Sequence, residues 1–146
     1  MSVTISGSDN LVLQVVSATY ATQTASSSST YADTGLTATI TPKFNTSKIL
    51  VLVSQNGLYK DTNSTGVNVK LLRTSTDLLV FSAQSANTSS GATNIVGSAT
   101  ASYSDSPATT SATTYKTQFA SSGNNAQAIV QVFSAVSTIT LMEIAG

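Results

Sequence analysis

Six carboxylates are the side chains best placed to move protons near neutral pH in this sequence, which has no histidine: Asp9, Asp33, Asp61, Asp77, Asp105 and Glu143. A glycoside hydrolase needs two carboxylates about 5 to 9 Å apart. Here each stands alone in sequence, and most fall among turn-forming residues, so a turn role is favoured over catalysis. Residues 61–66, DTNSTG, imitate the opening D-x-N-x-x-G of a calcium-binding loop. The twelfth position of such a loop needs a bidentate Glu, and here it is Leu72 inside a strand pattern. A standard calcium loop is therefore rejected, and only a weak cation site in that loop is left open.

Serine and threonine total 49 of the 146 residues, yet no base is in view to activate a hydroxyl as a nucleophile. With no cysteine there is no disulfide scaffold, thiolate nucleophile or cysteine zinc site. The missing histidine removes the Ser-His-Asp triad and nearly all transition-metal centres. No catalytic residue, cofactor or metal is expected, and the chain does not read as an enzyme. The sequons at Asn45, Asn63 and Asn87 matter only in a glycosylating secretory route. Six basic and six acidic residues give zero net charge, which cannot neutralise a phosphate backbone, so nucleic acid is excluded as a partner. No apolar run is long enough to span a membrane. The opening MSVTISGSDN lacks the basic and apolar regions of a secretory signal.

Tyr31, Tyr59 and Tyr103 fall in or beside expected loops, where tyrosine can stack on a sugar or fill a partner's pocket. Partial burial under a loop is the competing role. Tyr59, Asp61, Asn63, Tyr103 and Asp105 form the candidate contact set for a partner or glycan, within loops expected at 56–66 and 84–113.

The elements that would position these groups read as strands. Short alternating apolar runs are separated by Ser, Thr, Asn, Gly and Asp clusters. Strands are expected at 3–5, 11–20, 36–41, 48–55, 66–73, 78–83, 114–120, 126–133 and 137–145, with weak candidates at 93–96 and 99–103. Residues 21–30 read as a loop, residues 74–77 as a hairpin turn and Gly123-Asn124 as another turn. Leu36, Ala38 and Ile40 share one face, as do Val67, Val69 and Leu71. In 48–55, Ile49, Val51 and Val53 lie opposite Leu50 and Leu52, which marks a central strand covered on both sides. About eight to ten strands without a helix predict an all-β fold: one antiparallel β-sandwich, jelly-roll-like, over residues 11–146. Residues 1–10 form a short N-terminal segment and a candidate docking arm.

The last strand is apolar on both faces. Ile139 and Leu141 point one way, with Glu143 on their side, and Met142 and Ile144 point the other. Two roles fit: a central strand, or a strand with one face on the core and the other on a neighbouring subunit. Only 8% of residues are charged, against a typical fraction of about 25%, and this favours association. Ile139, Leu141, Met142, Ile144, Leu50 and Leu52 are the candidate core or subunit-interface residues.

The blocks at 40–42 with 47–51 (ITP, SKILV), 71–73 (LLR), 105–107 with 114–116 (DSP, TYK) and 137–139 with 141–144 (STI, LMEI) resemble a group of small virion proteins. These occur in tailed bacteriophages, particularly of cyanobacteria and marine bacteria. The resemblance covers roughly residues 35–146 and implies a jelly-roll homotrimer, somewhat like a fibre knob or a C1q-like head. It implies a virion location, on the outer surface of capsid or tail, after synthesis in the host cytoplasm. The favoured expectation is a capsid decoration or cement protein that bridges capsid subunits, with the major capsid protein as partner. Length argues for it, because only about ten residues precede the first long strand and no fibre shaft fits. The alternative is a tail-fibre tip or head-fibre knob recognising host-surface glycan. An enzyme such as a depolymerase ranks last.

Overall fold

The computed structural model describes residues 11–62, 64–88, 96–123 and 126–146. The expected strand at 3–5, the candidate docking arm at 1–10, Asn63, Asn124 and most of the weak strand at 93–96 lie outside the described residues.

The described chain forms ten strands: β1 (Val12–Tyr20), β2 (Thr24–Ser26), β3 (Ala32–Ile40), β4 (Lys48–Lys60), β5 (Val67–Arg73), β6 (Thr76–Ser85), β7 (Val96–Asp105), β8 (Thr113–Ser121), β9 (Ala128–Val130) and β10 (Ser137–Ile144). The ten occupy eight lanes. β10 and β9 pair in succession along one edge of β4, and β1 and β2 pair in turn with β10 and β9. β7 takes the other edge of β4, so β4 is central, as its two-faced pattern predicted. The second sheet runs β3-β8-β5-β6. First pairs with last throughout: β1 with β10, β3 with β8, β4 with β7 and β5 with β6, all antiparallel. One long hairpin has thus been rolled so that its lanes also pair sideways, β10 to β4 and β8 to β5. This is the jelly-roll order of an antiparallel β-sandwich.

Alternation sets which residues meet inside. Leu36, Ala38, Ile40, Ile49, Val51, Val53, Leu71, Tyr115, Ile139 and Leu141 form one buried cluster. Leu58, Val67, Val69, Phe119, Ala128 and Val130 form a second. Hydrogen-bonded polar residues also cross the interior between the sheets. Thr117 Oγ1 donates to Gln55 Oε1 at 2.8 Å, Thr34 and Thr117 share a hydroxyl contact at 2.6 Å, and Gln55 Nε2 donates to Ser137 Oγ at 3.0 Å. Each of these groups is buried and partnered, which removes most of the desolvation cost of placing it there.

Three expectations are corrected. Residues 21–30 contain β2, which is held by β9. Residues 96–105 form a full ten-residue strand rather than weak fragments in a loop. Its inward side is Ala99, Ala101, Tyr103 and Asp105, whose alternation with Ser and Thr has too little hydrophobic contrast to read locally. The strand expected at 126–133 breaks after Val130 into a 3-10 turn at Val132–Ser134. Gln131 (φ 54°) and Phe133 (φ 57°) take left-handed backbone there and swing the chain out of the sheet. Gly57, itself at φ 64°, lies opposite, where a Cβ would come within 2.6 Å of Val132 N.

Candidate functional site

The two outer faces of the sandwich differ in kind. On the β1-β10-β4-β7 sheet, Val15, Met142, Leu50 and Ser104 stand side by side across four strands, and Ser17, Thr140, Leu52 and Ser102 form the next row. Val15 is 54% exposed and Leu52 39%, while Leu50, Met142 and Ile144 are half-buried. Among the described residues, the one charged side chain in this apolar and hydroxyl surface is Lys48, paired with Ile144 at its margin. The outer face of the β3-β8-β5-β6 sheet instead carries the ion pairs Lys70–Asp77 and Lys116–Asp33.

The candidate interface residues therefore divide. Ile139 and Leu141 are fully buried in the core. Met142, Ile144, Leu50 and Leu52 share the uncharged outer face. The expectation that Leu50 and Leu52 are covered is corrected, because Leu52 is 39% exposed and Leu50 only half-buried, and none of the described residues closes over that face of β4.

The candidate contact set is not brought together. Tyr59 ends the outer row of β4, beside Val96. Asp61 lies just beyond, exposed, with its Oδ1 accepting from Thr62 Oγ1 and from the Gln127 N–H, which is the work of a turn. Asp105 pairs with Ile49, ten residues earlier on β4 than Tyr59, or about 33 Å away along the strand. Tyr103 is not beside a loop; it packs against the first core cluster from β7.

Asp105 is corrected from a partner contact to an internal clamp. It is 6% exposed, and its carboxylate takes both oxygens to Arg73 Nη1 at 2.8 and 2.9 Å. The Tyr115 hydroxyl donates to the same carboxylate at 2.7 Å. Burial and the Asp105 carboxylate push the Tyr115 phenol far above its ordinary range, so it stays protonated. The clamp ties β7 of one sheet to β5 and β8 of the other. Glu143 is a second buried carboxylate: it accepts from Gln14 Nε2 at 2.6 Å and from the Lys43 backbone N–H at 2.7 Å. Burial alone would raise it, but these hydrogen bonds outweigh burial and hold it below the usual carboxylate range.

One arrangement escaped the sequence reading. The register on β3 jumps from Asp33↔Gln118 to Thr37↔Lys116, so three residues of β3 oppose one of β8. Such a bulge re-aims side chains. Thr34 turns inward to Thr117, and Gly35 takes φ 91° over the Tyr20 ring, where any Cβ would overlap the ring. Asp33 is left outside, accepting from Lys116 Nζ at 2.9 Å and Gln118 Nε2 at 2.8 Å. Burial works to raise its carboxyl, but the bonds to Lys116 and Gln118 and the Lys116 charge prevail and lower it. A cavity of about 120 Å³ opens beside it, lined by Asp33, Gly35, Leu36, Thr37, Lys116 and Thr117. Asp-Thr-Gly ahead of an alternating LTATIT was the local signal of a bulge, but Lys116 is 83 residues away in sequence.

Among the described residues, no group of three His, Cys, Asp or Glu is placed to hold a metal ion, and no helix is long and apolar enough to cross a membrane. Comparison with protein-family models and with curated proteins found no match for this chain.

Proposed function

We propose that this chain is a structural virion protein of a tailed bacteriophage, assembling with copies of itself as a homotrimer through the outer face of the β1-β10-β4-β7 sheet. The observation that carries the assembly reading is the segregation of charge between the two faces. A face built from Val15, Leu50, Leu52, Met142 and hydroxyl side chains can converge with those of two other copies around a threefold axis without setting like charges together. Covering it removes several aliphatic side chains from water, at about 25 cal/mol for each Å² of apolar surface. The opposite face, with its two ion pairs, stays wet. The virion location rests on the blocks described in the sequence; they do not name a job, and a decoration or cement role bridging major capsid proteins is the role proposed for the trimer.

The test is the mass of the purified protein by light scattering, together with its position in the intact virion by electron cryomicroscopy. A trimer that Met142→Asp converts to a folded monomer, and hundreds of copies on the icosahedral shell, are the expected results. A wild-type monomer at all concentrations refutes the assembly reading. A few trimers at the tail tip would favour the second reading, host-glycan recognition, for which the cavity beside the Asp33 carboxylate speaks.

A further inference from the structure

The geometry points to a neutral-saccharide site at the β3 bulge, built on Asp33, Thr37, Lys116 and Gln118. The ligand class deepens the glycan-recognition reading and rests on it, while self-assembly through the other face is independent.

The case begins with the carboxylate. Asp33 has about four lone-pair directions and spends part of them on Lys116 and Gln118. Its side chain is 55% exposed, so the remaining directions reach solvent beside the cavity. A carboxylate fixed in this way can accept from two adjacent hydroxyls of a sugar ring, and the ammonium of Lys116 has further protons to offer a ring or hydroxyl oxygen. Thr37, exposed on the cavity wall, donates its hydroxyl proton to the Tyr115 carbonyl at 3.3 Å and adds an oxygen that can accept from the ligand.

The surrounding charge narrows the ligand. In register with Asp33, Gln118 lies next to Lys70, which pairs with Asp77 at 2.8 Å and sits 4.4 Å over the Tyr31 ring. Two cations and two carboxylates cancel over this patch. A phosphate or sulfate would meet Asp33 and Asp77, whereas a neutral polyol meets alternating donors and acceptors. The cavity holds the space of about four waters, at roughly 30 Å³ each, which fits the edge of one pyranose ring rather than an oligosaccharide. So shallow a site binds weakly, in the millimolar range by general experience with few contacts, and gains from repetition in an oligomer.

The bulge itself belongs to the argument. Gly35, the inward turn of Thr34 and the Thr34–Thr117 hydroxyl contact fix the backbone that carries Asp33, so the carboxylate is preorganised on a rigid strand rather than a loop.

Saturation-transfer NMR of the full chain with the methyl glycosides of glucose, galactose and mannose, each at 10 mM, tests this. Transfer to the ring protons of at least one glycoside is expected, falling roughly fivefold or more in Asp33→Asn and also reduced in Thr37→Val. Because saturation transfer grows with the size of the tumbling assembly, Met142→Asp is compared by titration, and its dissociation constant for the glycoside should be unchanged. Thermal melts of both site variants separate lost binding from lost fold. No transfer to any of the three overturns the site, as does transfer undiminished in a folded Asp33→Asn or inorganic phosphate displacing the glycoside. A trimer that binds no glycoside defeats this inference alone; a monomer that binds one defeats only the assembly reading.

Discussion

Leu141→Ala and Met142→Ala are adjacent substitutions with opposite consequences. Leu141 is fully buried between the sheets, and Met142 lies half-buried on the outer face. Removing three carbons from Leu141 forfeits about 2.4 kcal/mol of transfer free energy, and the cavity left among Val51, Ile139 and their neighbours brings the cost to about 3–5 kcal/mol. For a chain of this size that lowers Tm by roughly 10 °C or more. At Met142 solvent fills the space left behind, so the single chain loses about 1 kcal/mol or less. The assay is thermal unfolding by circular dichroism at two protein concentrations a hundredfold apart. Leu141→Ala lowers Tm at both. Met142→Ala lowers it mainly at the higher concentration, where self-association stabilises the fold by mass action. A loss under about 1 kcal/mol for Leu141→Ala refutes the inward assignment. An equal loss for Met142→Ala at both concentrations refutes the reading of its face as open in the single chain.

Asp105→Ala leaves Arg73 and the Tyr115 hydroxyl without their shared partner and should cost about 2–4 kcal/mol, measured by urea unfolding; a neutral result would show that the clamp contributes nothing to joining the sheets. Because the Glu143 carboxyl is held below its unfolded value of 4.5, its contribution is present above that pH and is lost as pH falls through the lower folded value. Glu143→Gln should therefore flatten the acid limb of stability against pH, and an unchanged limb would count against the buried carboxylate. Tyr115 has the opposite sign: its folded pKa is raised above 10, so its contribution is full below that pH and declines above it. Tyr115→Phe should flatten the alkaline limb, read by fluorescence or circular dichroism between pH 9 and 12. Gly57→Ala combines left-handed backbone with a Cβ pressed on Val132 N and should destabilise by about 1–3 kcal/mol in the same unfolding assay; full stability would mean that the 131–136 turn shifts freely.

Alternation by itself determined the inward sides of β3 and β5, because side-chain direction in a strand has a period of two and large aliphatic residues make it visible. Leu36, Ala38, Ile40, Val67, Val69 and Leu71 all point where the pattern puts them, while for β4 and β10 the structure chose Ile49, Val51, Val53, Ile139 and Leu141 as the inner set. The two-faced character of β4 and β10 was legible for the same reason, as was the all-β fold. Where the contrast is low, as between Ala and Ser along β7, the period is present but too faint to read. Polarity misleads inside the sandwich. Asp105 reads as a turn or contact residue, yet it is buried, as are Glu143, Gln55 and Thr117, because partners distant in sequence satisfy each of them. The pairing of Asp33 with Lys116 likewise depends on β3 lying against β8 with a bulge between them. Only the tertiary structure decided these meetings: a local pattern states which way a side chain points, and long-range register states what it finds there.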